Sequence, residues 1–121
     1  MIFSRKYIYR YWFIFLGVGV AVNNKEIALN LVLRAIGEST QISSVDDRMR
    51  IQKAIYLSQE FGIPLGYNYS WYVKGPYSPG LTQDYYGMNA SISDEDIKDV
   101  NINSKFSSAI EKTIKCLQYN D

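Results

Sequence analysis

The run from Trp71 to Leu81 (WYVKGPYSPGL) constrains this chain more than any other segment, because it joins a strand end, a turn and a helix start. Proline fixes φ and glycine relieves steric limits on the backbone, so Gly75-Pro76 predicts a turn. Serine caps the free N–H groups of a helix and proline tolerates its first position, so Ser78-Pro79 predicts a helix start. The chain is expected to turn here and then enter a helix.

Two amphipathic helices are predicted before this run. The first extends from about Lys25 to Ile36, with Gly37 as its C-terminal cap. The second follows Ser44-Val45-Asp46-Asp47, which has the spacing of a capping box, and it extends to about Phe61. Its predicted buried stripe is Ile51, Ala54, Ile55, Ser58 and Phe61. The polar side chains expected outside are Arg48, Arg50, Gln52 and Lys53.

The remaining elements are one strand and two or three further helices. Residues 67–73 are rich in strand formers and predict a strand, and the helix that begins at Pro79 is expected to end where Gly87 follows Tyr86. The acidic segment 89–103 is read as a solvated loop or a short helix capped by Ser93. A final helix carries an apolar stripe at helical spacing: Phe106, Ala109, Ile110, Thr113, Ile114 and Leu117.

These patterns predict an α+β fold that is mainly α: a small helical domain with a short β-strand or hairpin, loosely like a winged helix. Residues 23–121 are assigned to this single domain. Residues 1–22 stand apart, because Arg5, Lys6 and Arg10 precede an uninterrupted apolar block over 11–22. Three interpretations stay open for that block: an export or membrane segment, a buried first element of the domain, or an extension upstream of the natural start.

The chain lacks the residues on which many enzymes rely. Among its 121 residues there is no histidine and one cysteine, Cys116, which removes the usual general base and the clusters that bind zinc. Asp46 and Asp47 are explained by the positive end of a helix dipole, and nothing in the spacing pairs them with Asp84. We therefore predict no catalytic residues, no metal and no cofactor.

Two blocks of sequence, in this order, carry a family resemblance. Residues 50–57 (RIQKAIYL) and 71–81 (WYVKGPYSPGL) resemble the YwgA-like family of small bacterial and archaeal proteins and, more weakly, the Panacea domain found in antitoxins. The resemblance covers about Arg48 to Met88, which is about one third of the chain. Two departures are visible: Lys74 replaces the more usual aromatic residue before Gly-Pro, and Gly80 replaces an acidic one. The resemblance implies a regulator that binds a protein such as a toxin.

A protein-interaction or regulatory module, possibly of the antitoxin type, is accordingly the first functional hypothesis. The side chains expected to face a protein partner are Lys53, Tyr56, Tyr72, Lys74, Gly75, Pro76, Tyr77, Ser78 and Gln83. The alternative is a nucleic-acid-binding protein of the winged-helix type, in which basic residues hold phosphates: Arg48, Arg50, Lys53 and Lys74. The unpaired cysteine favours the cytoplasm, and membrane association would be through residues 1–22.

Overall fold

A computed structural model describes residues 24–119, which form helices and one short, largely exposed hairpin. The elements, in chain order, are α1 (Asn24–Ala35), α2 (Val45–Glu60), β1 (Ser70–Tyr72), β2 (Gly75–Tyr77), α3 (Pro79–Ser91), α4 (Asp94–Ile97), a 3-10 turn (Ser104–Phe106) and α5 (Ser107–Tyr119). The two strands pair antiparallel. The predicted fold class, α+β and mainly α with a short hairpin, is confirmed. The predictions for residues 1–22 concern a segment outside the described residues.

Helix α1 lies at the centre of the core. Every residue from Ile27 to Leu33 is buried, and the helix packs against both α2 and α3. It ends as predicted: the N–H of Gly37 donates to Arg34 O at 3.1 Å, and the N–H of Glu38 donates to Leu33 O at 2.9 Å. These two bonds satisfy carbonyls that the last turn would otherwise leave without donors. Helix α1 is therefore the frame on which the other long helices are packed.

Helix α2 begins at the predicted capping box. The hydroxyl of Ser44 accepts from the Asp47 N–H at 3.0 Å, and the Asp47 carboxylate accepts from the Ser44 N–H at 3.2 Å. The hydrogen bonds from Ser44 hold the pKa of Asp47 below its ordinary value. The predicted stripe is buried from Ile51 to Ser58, but Phe61 is 37% exposed at the C-terminal cap. That part of the prediction is wrong: α2 ends at Glu60, so Phe61 lies just beyond the helix and does not continue its buried stripe.

Gln52 was expected on the outside of α2, and this prediction is also wrong. Its side chain is only 4% exposed, and its amide pairs with the backbone of Ser78. The Ser78 N–H donates to Gln52 Oε1 at 2.8 Å, while Gln52 Nε2 donates to Ser78 O at 3.1 Å and to Thr82 Oγ1 at 3.0 Å. The junction between β2 and α3 is thus hydrogen-bonded to the middle of α2.

A second glutamine on the same face of α2 makes the equivalent contact before the hairpin. The Tyr67 N–H donates to Gln59 Oε1 at 2.7 Å, and Gln59 Nε2 donates to Tyr67 O at 3.1 Å. Residues 63–69 alternate largely between buried and exposed, but they pair with no strand in the part of the chain described. The predicted strand over 67–73 is therefore confined to β1, because a side-chain amide takes the place of a partner strand at Tyr67.

The turn of the hairpin lies two residues earlier than predicted. Val73 and Lys74 form it, while Gly75 and Pro76 belong to β2 and pair with Tyr72 and Trp71 respectively. Pro76 is compatible with a strand here because a two-stranded hairpin leaves one side of each strand without a ladder.

Helix α3 begins as predicted and ends later than predicted. The Leu81 N–H donates to Ser78 Oγ at 3.3 Å, and Pro79 occupies the first turn. Gly87 was expected to end the helix, but the helix continues to Ser91. A Cβ at Gly87 would lie 2.2 Å from a carboxylate oxygen of Glu26, so this glycine lets α1 approach α3 closely.

The C-terminal part of the chain closes the core. The acidic segment forms the short α4 behind Ser93, one of the two predicted outcomes, and Arg34 of α1 forms an ion pair with Asp94. Helix α5 packs against α2. Its buried side chains are Ala109, Thr113 and Leu117, with Ile110 and Ile114 partly buried beside them. Within residues 24–119 no helix has the length and apolar character needed to cross a membrane.

The side chain of Tyr67 contacts both α1 and α3. The Tyr67 hydroxyl donates to Asp84 Oδ2 at 2.7 Å, and Lys25 Nζ lies 4.7 Å from the centre of the Tyr67 ring. Burial, reinforced by this hydrogen bond, raises the pKa of Tyr67 far above its ordinary value. Burial likewise raises the pKa of Tyr69. Both tyrosines are therefore neutral in the folded protein at pH values where exposed tyrosines ionise.

We expect Gln52→Leu to lower the free energy of unfolding by about 2 kcal/mol. The substitution keeps the side-chain size but leaves the buried Ser78 N–H without its acceptor, which costs about 1–3 kcal/mol. The measurement is urea denaturation followed by circular dichroism. Gln83→Leu, an exposed glutamine on α3, is the matched control and should change stability by less than about 0.5 kcal/mol. Equal effects of the two substitutions would contradict the structural role assigned to Gln52.

We expect the free energy of unfolding to fall as pH rises above about 10, the ordinary pKa of tyrosine. Because the pKa of Tyr67 is raised in the folded state, the unfolded chain loses this proton first, and its contribution to stability decreases between the two pKa values. Denaturation midpoints measured from pH 8 to pH 11 should decline less steeply for Tyr67→Phe. Tyr119→Phe, at a side chain that is 93% exposed, should retain the wild-type slope.

Candidate functional site

An open groove of about 1430 Å³ lies between α2, the hairpin and the first half of α3. The exposed face of α2 forms one wall, both strands of the hairpin form another, and the side chains of Thr82, Tyr85 and Tyr86 contribute from α3. The Gln52–Ser78 contact fixes these walls relative to one another, because it bonds α2 to the point where the hairpin meets α3. The groove is therefore a surface built on rigid elements.

Aromatic side chains line the hairpin side of the groove. The Tyr56 ring of α2 meets the Trp71 ring edge to face, with centroids 5.3 Å apart, and meets the Tyr69 ring in the same way at 5.3 Å. On the hairpin, the Tyr72 and Tyr77 rings are 5.8 Å apart, also edge to face. Such pairs contribute about 0.5–1.5 kcal/mol beyond the area that they bury. They hold the strands against α2 while leaving Trp71 and Tyr72 more than half exposed.

The large exposed apolar side chains of the described part of the chain are concentrated in this groove. Among residues 24–119, nine large hydrophobic side chains are exposed, and seven of them line it. The seven are Val45, Met49, Trp71, Tyr72, Val73, Tyr77 and Tyr86. Phe61 and Tyr119 are the two that do not. Exposed apolar side chains clustered in this way are typical of protein-interaction sites, membrane-contact sites and ligand-binding grooves.

Four basic side chains share the groove with one acidic side chain, Asp46. Arg48 donates to Ile42 O at 2.8 Å, and Arg50 lies 3.5 Å from a carboxylate oxygen of Glu38. Lys53 is half-buried on α2, and Lys74 is exposed at the hairpin turn. The electrostatic character of the groove is therefore basic, although the whole chain has a formal net charge of only +1.

Most of the positions predicted from the sequence converge on this groove. Those that line it are Arg48, Arg50, Lys53, Tyr56, Tyr72, Lys74, Gly75, Pro76 and Tyr77. Ser78 does not: it is 1% exposed, so its prediction as a partner-facing residue is wrong, and its role is to cap α3 and pair with Gln52. Gln83 is exposed on α3 but lies outside the groove lining.

Seven apolar or aromatic lining residues were not among the predicted positions: Val45, Met49, Leu57, Trp71, Val73, Tyr85 and Tyr86. Trp71 and Val73 lie within the run that carries the family resemblance, but the turn was predicted two residues too late, which hid the exposure of Val73. Val45 and Met49 are on the face of α2 opposite to its buried stripe, so an outward apolar residue on an amphipathic helix was the available signal.

Each carboxylate that was considered for acid–base catalysis has a structural role in the fold. Asp84 accepts the hydrogen bond from Tyr67, and Asp47 belongs to the capping box of α2. Asp46 lies in the first turn of α2, where the helix dipole favours a negative charge. Within residues 24–119 no group of three or more acidic or cysteine side chains is arranged to hold a metal ion.

No family model, curated protein or solved structure matches this chain.

We expect Gly75→Ala to lower the free energy of unfolding by about 1–3 kcal/mol. Gly75 has φ of +118°, a conformation that strains any residue with a Cβ, and no atom lies within 4 Å of the added carbon. The loss would therefore come from backbone strain in the hairpin and not from a clash. Gly80→Ala, in the first turn of α3 at ordinary φ, is the control and should leave stability unchanged or slightly raised. Chemical denaturation of both variants measures the difference.

Proposed function

We propose that this chain is a non-enzymatic protein-interaction module, regulatory or antitoxin-like, that binds a partner protein through the groove between α2 and the hairpin. The observation that carries the proposal is the concentration of exposed apolar side chains at this one surface. Protein interfaces are enriched in tyrosine, tryptophan and methionine, and aromatic side chains at their centre supply much of the binding energy. Trp71 and Tyr72, which are 68% and 61% exposed, are the side chains of this kind.

The architecture of the hairpin supports the same proposal. Val73 is fully exposed at the turn, and no base-stacking or phosphate-binding role accounts for an aliphatic side chain at that place. Two of the four groove cations, Arg48 and Arg50, already have partners within the chain. These features favour a protein partner over the nucleic-acid alternative, for which the basic lining is the supporting observation.

The identity of the partner follows from the sequence resemblance alone. Residues 50–57 and 71–81, which carry the likeness to the YwgA-like family and to the Panacea domain, contribute α2 and the hairpin to the groove. A toxin or another regulator is the partner that this likeness supports. The cytoplasm is the compartment that we propose, because the sequence has a single cysteine, Cys116, and no disulfide framework.

The proposal predicts that a partner recovered with the full-length chain depends on the hairpin. Tagged chain incubated with an extract of its own organism should retain a partner that Val73→Glu recovers about tenfold less, because a charge would be placed at the centre of an apolar contact. Phe61→Glu, an exposed apolar residue outside the groove, should recover as much as the wild type. Quantitative mass spectrometry compares the three baits.

Val73 is suited to this test because its side chain is fully exposed, so the substitution leaves the packing of the hairpin intact. Circular dichroism of the variant checks that the fold is retained. Equal recovery of every protein by the Val73→Glu and wild-type baits would contradict the proposal.

A further inference from the structure

The charge of the groove adds information that its apolar surface does not give. The lining holds four cations, and Asp46, in the exposed first turn of α2, is its one carboxylate. A partner that buries this surface must neutralise the cations or leave them desolvated without counter-charges, which is costly. Charge complementarity therefore restricts what can bind here.

The arginines and the lysines of the groove differ in their surroundings. Arg48 is bonded to the carbonyl of Ile42, and Arg50 lies beside Glu38. No carboxylate of residues 24–119 forms an ion pair with Lys53 or Lys74. Lys53 lies about one turn before Tyr56 on α2, and Lys74 is the second residue of the hairpin turn.

Apolar side chains of the groove neighbour both lysines in the chain. Tyr56 follows Lys53 on α2 and contacts Trp71, while Val73 directly precedes Lys74 at the turn. Each lysine therefore has an aromatic or aliphatic groove residue close to it in the chain. A ligand that matches this surface carries carboxylates together with an apolar side chain.

We infer that the groove binds an acidic segment of the partner protein in which one or more large apolar side chains are flanked by aspartate or glutamate. This inference rests on the protein-binding function proposed above. The apolar side chain is placed against Trp71 and Val73, and the flanking carboxylates pair with Lys53 and Lys74. The first 22 residues of this chain do not fit the description, because they contain Arg5, Lys6 and Arg10 and no acidic residue.

Selection from a phage-displayed library of random peptides on the full-length chain tests the inference. We expect the enriched peptides to combine aspartate or glutamate with leucine, phenylalanine or tryptophan. Their affinity, measured by fluorescence polarisation with the most enriched peptide, should fall about tenfold for Lys53→Ala/Lys74→Ala, since two charge pairs are lost. It should also decrease as salt concentration rises, and less steeply for this variant.

Two control variants separate charge from folding. Lys112→Ala/Lys115→Ala removes the same number of charges from the exposed face of α5, outside the groove, and should bind the peptide as the wild type does. Lys53→Arg/Lys74→Arg keeps the charges and should retain most of the affinity. Loss of binding in the Ala variant with retention in the Arg variant assigns the effect to the two charges.

Different outcomes test the acidic partner segment and the protein-binding function of the groove. Enriched peptides that are neutral or basic, and that still lose affinity on Val73→Glu, would overturn the acidic partner and keep the protein-binding groove. Both would be overturned if Val73→Glu left the affinity of the enriched peptides unchanged, or if no peptide were enriched.

Two other occupants of the groove would also overturn the acidic peptide. One is a single-stranded nucleic acid. It would be indicated if the selection enriched no acidic peptide, while an oligothymidylate bound the wild-type chain and did not bind the Val73→Glu variant. The other is self-association, seen by sedimentation, that Lys53→Ala/Lys74→Ala abolishes, which would assign the groove to the acidic segment of a second copy.

Discussion

The bond between the Gln52 amide and the backbone of Ser78 is the interaction on which the arrangement of this protein depends. Ser78 is the point where β2 ends and α3 begins, and it makes both backbone contacts to one side chain of α2. Because these groups are buried, each must have a partner, and the partner is supplied from a site far away in the sequence. The position of the hairpin, the start of α3 and the shape of the groove all follow from that contact.

Gln59 repeats the arrangement on the other side of the hairpin. Gln52 and Gln59 are two helical turns apart, so both amides project from the same face of α2. One bonds to Tyr67, shortly before β1, and the other to Ser78, directly after β2. An isolated two-stranded hairpin is marginally stable in water, and here both of its ends are attached to a helix that is itself packed in the core. The short strands persist because of these attachments.

Local signals in the sequence predicted the fold well. The capping box at Ser44, the helix start at Ser78-Pro79 and the glycine after α1 each depend on neighbouring residues, and each lies where the pattern indicated. Two of the wrong predictions have a different cause. Gln52 is buried because its partner is Ser78, and Gly87 lies inside its helix, where the missing Cβ leaves room for Glu26. Contacts between distant segments decided these positions, and a periodic pattern within one segment carries no record of them.

The same distinction explains the candidate site. Positions at the hairpin and on the outward face of α2 were predicted from turn chemistry, charge and resemblance, and nine of them line one groove. Ser78 was misplaced because a helix-capping residue can face either the core or solvent. Val45 and Met49 were missed because single outward apolar residues carry little signal until a hairpin is placed opposite them.

Because the hairpin is attached at both ends, the residues that hold it in place differ from those that face solvent. The residues that secure it, Tyr67 and Ser78, lie outside the turn, whereas Trp71, Tyr72, Val73 and Lys74 are exposed and lie near its tip. Replacement of Val73 and Lys74, the two turn residues, can therefore alter what the surface recognises at little cost to the stability of the hairpin. A scaffold of this kind lends itself to retargeting: the glutamine pair would be held constant while the tip is varied.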